Sequence, residues 1–138
     1  MKILLDTCAF LWLTTDAPEL SEKAKILFQN PNNPVYLSSV SVWEILVKNQ
    51  LGKLPLPSAA DDFIKKQCEK HYIEYLSLDE KAVFNLYRLP NYHRDPFDKM
   101  LVCQAITHDL TILTSDKMIM QYPVADIPHP CYPESAYK

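Results

Sequence analysis

The sequence predicts an α/β domain, a parallel sheet flanked by helices on both faces, and two observations carry that expectation. Short apolar runs bounded by turn residues alternate with longer stretches of helical periodicity, the order that generates crossover connections and parallel strands. The 138 residues are 48% hydrophobic, enough to bury one core of ordinary size, and no repeat or composition break marks a second domain. A single domain over 1–138 is expected, with 128–138 as a C-terminal tail.

The elements follow in chain order. Ile3-Leu4-Leu5 is a short strand closed by Asp6-Thr7, which opens a helix through Phe10, Leu11 and Leu13. Ser21 is placed to cap a helix reaching Phe28, and the prolines of Asn30-Pro31-Asn32-Asn33-Pro34 stop it. Val35-Tyr36-Leu37 is a second strand; Ser38-Ser39-Val40-Ser41 leads into a helix with Val42, Glu44, Ile45, Leu46 and Gln50 that ends at Gly52. Leu54-Pro55-Leu56-Pro57 interrupts helical structure, and Ser58 is the expected cap of a helix through Phe63, Ile64 and Gln67. Ile73-Glu74-Tyr75-Leu76 is a third strand. Asp79 begins a helix through Ala82, Val83 and Leu86 that Pro90 closes, and Asp95-Pro96-Phe97-Asp98 starts the next with proline at its first position, running to about His108. Thr111-Ile112-Leu113-Thr114 is a strand, Ser115-Asp116 caps a short helix, and Val124–Ile127 is an expected edge strand.

Several function classes are excluded by composition. Gly52 is the single glycine, so neither Gly-rich phosphate loop can be present, and with them go P-loop NTPases and dinucleotide-binding dehydrogenases. Cys8, Cys68, Cys103 and Cys131 form no C-x-x-C pair, which leaves no zinc knuckle and makes buried free thiols the expectation. The formal net charge is −3, so any nucleic-acid contact must be local and not a broad basic face. Local candidates are Lys48 with Lys53, Lys65 with Lys66, and the segment from Arg88 to Lys99, which holds Arg94 and His93; a solvated surface is the plain alternative for each lysine pair. No apolar run is long enough for a membrane span or a signal-peptide core, and a cytoplasmic protein is expected.

The chemistry is carried by acids. Asp6 and Asp116 follow apolar strands and therefore fall at the end of the sheet where parallel α/β folds bind ligands. Each would serve equally as a helix cap. Glu44 lies inside an apolar helix, where a buried charge demands a partner or a metal, though an exposed helix face would also accommodate it. Asp98 could complete a capping pair with Asp95, but as a group the four acids suit a hard dication, Mg²⁺ or Mn²⁺, and no Cys/His cluster competes. Such an ion polarises a phosphoryl oxygen and activates water, so hydrolysis needs no side-chain nucleophile.

Leu4-Leu5-Asp6-Thr7 with Leu11-Trp12, Ser39-Val40-Ser41-Val42-Trp43-Glu44-Ile45, Gly52-Lys53-Leu54, His93-Arg94-Asp95-Pro96-Phe97-Asp98, Gln104-Ala105 and Leu113-Thr114-Ser115-Asp116 together resemble the PIN-domain ribonucleases, and more narrowly the VapC-like toxins of bacterial toxin–antitoxin pairs. The resemblance reaches nearly to Ile127. It implies Mg²⁺- or Mn²⁺-dependent cleavage of RNA, a homodimer, and inhibition by a small cognate antitoxin. Its acidic positions fall on Asp6, Glu44, Asp98 and Asp116, and substrate contacts are expected from Arg94, Lys99 and Lys48. Cys8 and Lys99 depart from the histidine and arginine frequent at those places, neither being a metal-ligand position.

Two phosphoryl-transfer rivals fail on residue order. A haloacid-dehalogenase phosphatase needs a second Asp where Cys8 stands, and a receiver domain needs a mid-chain strand-end Asp followed by a strand-end Lys. The competing reading that survives is a PIN-like module that binds RNA or a protein without cutting.

Overall fold

The computed structural model describes residues 1–88 and 95–113. Their elements run β1 (Ile3–Leu5), α1 (Thr7–Thr14), α2 (Glu22–Gln29), β2 (Val35–Ser38), α3 (Ser39–Gln50), α4 (Ala60–Lys70), β3 (Ile73–Leu76), α5 (Glu80–Asn85), a single 3-10 turn (Leu86–Arg88), α6 (Pro96–His108) and β4 (Thr111–Leu113). Among these residues the sheet has four strands in the order β3-β2-β1-β4, every neighbouring pair parallel. The expected α/β architecture is therefore present. Ile3 lies opposite both Val35 and Thr111, so β1 is flanked on each side.

This strand order has a chemical consequence. The chain steps outward from β1 to β2 and β3, then returns to the other side of β1 as β4, so the direction of winding reverses between β1 and β4. A reversal of that kind leaves a crevice beyond the strand ends, where open parallel sheets bind ligands.

Alternation along the strands divides the core in two. Ile3 and Leu5 face a layer with Ala9, Phe10, Ala24, Leu37, Ile45, Ile64 and Cys68, drawn chiefly from α1 to α4. Leu4 faces the other way, with Val40, Leu101, Val102, Ala105, Leu110 and Ile112, so α6 covers the opposite face. A central strand buried on both faces reads as an unbroken apolar run, as Ile3-Leu4-Leu5 does. Fully burying one such side chain contributes about 1.5–3 kcal/mol.

Helix ends are set by local chemistry. Asp6, Ser21, Asp79 and Asp95 each accept backbone N–H bonds at the starts of α1, α2, α5 and α6, satisfying amides that have no partner within the helix. Gly52 takes φ +76 just past α3, and Asp109 adopts the left-handed conformation after α6 at φ 55. One expectation fails: α4 starts two residues beyond Ser58, from Ala59, without a side-chain cap. Asp61 and Asp62 in its first turn complement the helix dipole in place of a cap. The expected helix at Ser115-Asp116, the strand at 124–127 and the tail from 128 lie outside the described residues.

Candidate functional site

The crevice at the winding reversal is where the first expected acid stands. Asp6 ends β1; its backbone N–H donates to the Leu113 carbonyl at the end of β4 (3.0 Å), and its carboxylate accepts from the Ala9 N–H (2.7 Å). The capping role and the strand-end position are thus both real. They do not compete, because capping fixes the carboxylate at the positive end of α1.

Glu44 is buried, 4% exposed, on the inward face of α3 that also carries Val40, Ser41 and Ile45. Positions 40 and 44, and 41 with 44 and 45, are neighbours on that side because residues three and four apart are adjacent on a helix surface. Thr7, the residue after Asp6, donates its hydroxyl to Glu44 Oε1 at 2.6 Å, so the neighbour of one acid in the chain holds a second acid distant in sequence. Glu44 Oε2 receives the Lys48 ammonium at 2.5 Å, one helical turn on. That bond holds the Lys48 pKa above its ordinary value against the lowering effect of burial, and Glu44, Asp95 and Cys8 add electrostatic attraction.

Asp95 accepts from the Phe97 and Asp98 N–H groups at 2.9 and 3.4 Å, so it caps α6. Asp98 sits in the first turn of that helix, on the face shared with Val102 and Ala105, both buried. The site ends of α3 and α6 meet through an edge-to-face contact between Trp43 and Phe97, ring centroids 4.9 Å apart. These aromatics immediately precede Glu44 and Asp98 in the chain, so the contact draws the two acid-bearing turns together. Asp116 and Arg94 lie outside the described residues.

The PIN domain description matches residues 3–124, nearly the whole chain. The chain belongs to the PIN domain family. No curated protein matches it. Among solved structures, VapBC2 from Rickettsia felis bound to a DNA fragment from their promoter is similar at 16% identity and a TM-score of 0.60, covering 81% of this chain and 86% of that one. FitAB bound to an IR36 DNA fragment is similar at 19% identity and a TM-score of 0.54, covering 96% and 97%. At these identities the likeness is one of fold.

This PIN domain offers donors of the right kind for a hard dication: carboxylates, with a hydroxyl beside them and no thiol or imidazole cluster in the described residues. Among those residues no three His, Cys, Asp or Glu side chains converge tightly enough to hold an ion by themselves. Of the remaining expected contacts, Lys48 is engaged with Glu44 and Lys99 is half-buried near the start of α6. Cys8 is exposed, contrary to the expectation of buried thiols, whereas Cys68 and Cys103 are buried.

Sequence reasoning missed two polar supports of this PIN domain. Thr7 was read as a helix opener and not as the partner of Glu44. Ser38, fully buried, caps α3 by accepting from Val40 N–H (3.0 Å) and donates to the Gln104 side chain of α6, which in turn donates to the Ser77 carbonyl. Ser38 and Gln104 thereby join the end of β2 to the helix bearing Asp98. A glutamine amid buried Leu101, Val102, Cys103 and Ala105 was the available signal, since a buried amide requires partners.

Proposed function

We propose that this PIN domain is a Mg²⁺- or Mn²⁺-dependent endoribonuclease and the toxin of a toxin–antitoxin pair, with Asp6, Glu44, Asp98 and Asp116 as its metal-binding acids. The observation that carries the reading is the placement of Asp6 where the carboxyl ends of β1 and β4 meet, next in the chain to Thr7, whose hydroxyl holds a carboxylate buried in α3. A buried carboxylate is costly, and its retention beside a strand-end acid is what a metal site requires. Family membership and the donor chemistry point the same way.

A bound dication would supply electrostatic stabilisation of the phosphodiester and activation of water. The protein's part is orientation. Thr7 fixes the Glu44 carboxylate, the Ala9 amide fixes Asp6, and the α6 cap fixes the turn that presents Asp98. Arg94 and Lys99 are proposed to steady the phosphate backbone, and Trp43, 60% exposed beside Glu44, offers a face on which a base can stack.

A small antitoxin and a second copy of the chain are the proposed protein partners. Exposed apolar surface at Phe84 and Tyr87, on α5 and the turn after it, supports protein association, as do the VapBC2 and FitAB assemblies. Among the described residues no helix is long and apolar enough to cross a membrane, and a cytoplasmic location is proposed.

The test is a mass-balance assay of purified protein with RNA, Mn²⁺ and an EDTA control. Cleavage that stops with EDTA and is lost in Asp6→Asn is expected. RNA bound but left intact by the wild type in Mn²⁺ would establish the non-cleaving module instead.

A further inference from the structure

The side chain that answers the Glu44 charge comes from the protein itself. Glu44 precedes Lys48 by four residues on α3, the spacing and order that best join a carboxylate to an ammonium on a helix. The two ends of the pair differ in environment: the Glu44 side chain is 5% exposed and that of Lys48 47%. Lys48 therefore reaches inward from the rim with its stem partly in water. The carboxylate it holds also accepts from Thr7 of α1, and Trp43, next to Glu44, packs on Phe97 of α6, so the pair belongs to the elements that, with the end of β1, bear Asp6, Glu44 and Asp98.

We infer that Lys48 is a resident counter-cation of the acid cluster, neutralising Glu44 when no dication is bound and having to give way before one can use that carboxylate. This rests on the metal site proposed above and assigns Lys48 a role different from substrate contact. Physically, a buried carboxylate without a partner is strongly unfavourable, so the pair stabilises the metal-free protein. The same positive charge repels an arriving dication and occupies its ligand, so it raises the metal concentration the site requires. A substrate-contacting lysine would leave metal affinity alone.

The experiment compares wild type, Lys48→Met, Lys48→Arg, Glu44→Gln and the Lys48→Met/Glu44→Gln double variant. Mn²⁺ affinity is measured by electron paramagnetic resonance titration, and melting temperature in EDTA. Lys48→Met is expected to melt lower in EDTA yet bind Mn²⁺ about tenfold more tightly, the scale for removing one unit charge near a partly solvated ion. Lys48→Arg keeps the charge and should retain the wild-type affinity. In the Glu44→Gln background the Lys48 substitution should no longer lower the melting temperature, because the pair is already broken, and should tighten Mn²⁺ binding less than it does with Glu44 present, because only the direct repulsion is left to remove.

Mn²⁺ affinity in Lys48→Met equal to or weaker than wild type, with Mn²⁺ bound by both, overturns the inference and leaves the metal site standing. Weaker RNA binding in EDTA with unchanged Mn²⁺ affinity does the same and returns Lys48 to substrate contact. Absence of Mn²⁺ binding in all five proteins overturns both the inference and the metal site. If Lys48→Met fails to fold, Lys48→Gln supplies the neutral variant and the same comparison decides.

Discussion

Two aspartates three residues apart are proposed to divide structural from functional chemistry. Asp95 accepts two backbone amides at the start of α6, a task asparagine performs about as well, so Asp95→Asn should leave melting and cleavage near wild type. Asp95→Ala should cost about 0.5–2 kcal/mol, read from urea denaturation. Asp98 shares its helix face with buried Val102 and Ala105, and Asp98→Asn should fold normally but lose Mn²⁺-dependent cleavage of RNA. Full activity in Asp98→Asn with inactive Asp95→Asn would reverse the assignment. The Asp95 cap and the helix face of Asp98 were legible in the sequence, because Asp-Pro at a helix start and a four-residue spacing are local signals. The Glu44 environment was not, since its hydroxyl partner Thr7 lies 37 positions away in the chain and only tertiary packing brings them together.

At the scale of elements, α5, like α2 with Ala24, has a single buried side chain in its own span, Ala82. Its attachment to α6 is polar. His108 Nε2 lies 3.2 Å from Asp79 Oδ1, and the Asn85 amide donates to Thr107 Oγ1 at 2.7 Å. The His108 contact is the main reason the Asp79 pKa falls below its ordinary 3.8, with the Ala82 amide adding less. A carboxyl depressed in the folded state contributes stability that is present above its unfolded value and fades as pH falls through the lower folded value. Asp79→Asn preserves the cap, so its destabilisation relative to wild type should be seen at neutral pH and shrink as pH drops below 3.8. Chemical denaturation across that range tests this; a gap that widens in acid would place the stabilising contact elsewhere. Strand and helix order across the described residues was readable because apolar runs and prolines punctuate this chain. The start of α4 was misplaced because Ser58 has the right chemistry for a cap while the helix begins beyond its reach. Nothing local distinguishes a serine that caps from one that merely precedes.

At the scale of the molecule, burial on either face of the sheet sets two thiols apart from a third. Burial pushes the Cys103 thiol up to about 11 and also raises Cys68, a shift that a hydrogen bond with Tyr75 partly offsets. In a Cys131→Ser background, Ellman's reagent should modify exposed Cys8 rapidly and reach Cys68 and Cys103 only on unfolding. Rapid reaction of Cys103 in the native protein would mean that α6 does not pack as described. The reversal of winding at β1 was not derivable from strand positions alone, since parallel pairing carries no local register signal, and it has a consequence in time. A ribosome releases β1 first and β4 after three intervening crossovers, yet Asp6 is anchored by Leu113 and Ile3 pairs with Thr111. At ordinary synthesis speeds the interval is on the order of ten seconds. Through that interval the nascent chain has no finished sheet end, so the Asp6 anchor and the pairing on one side of β1 exist only after β4 has left the ribosome.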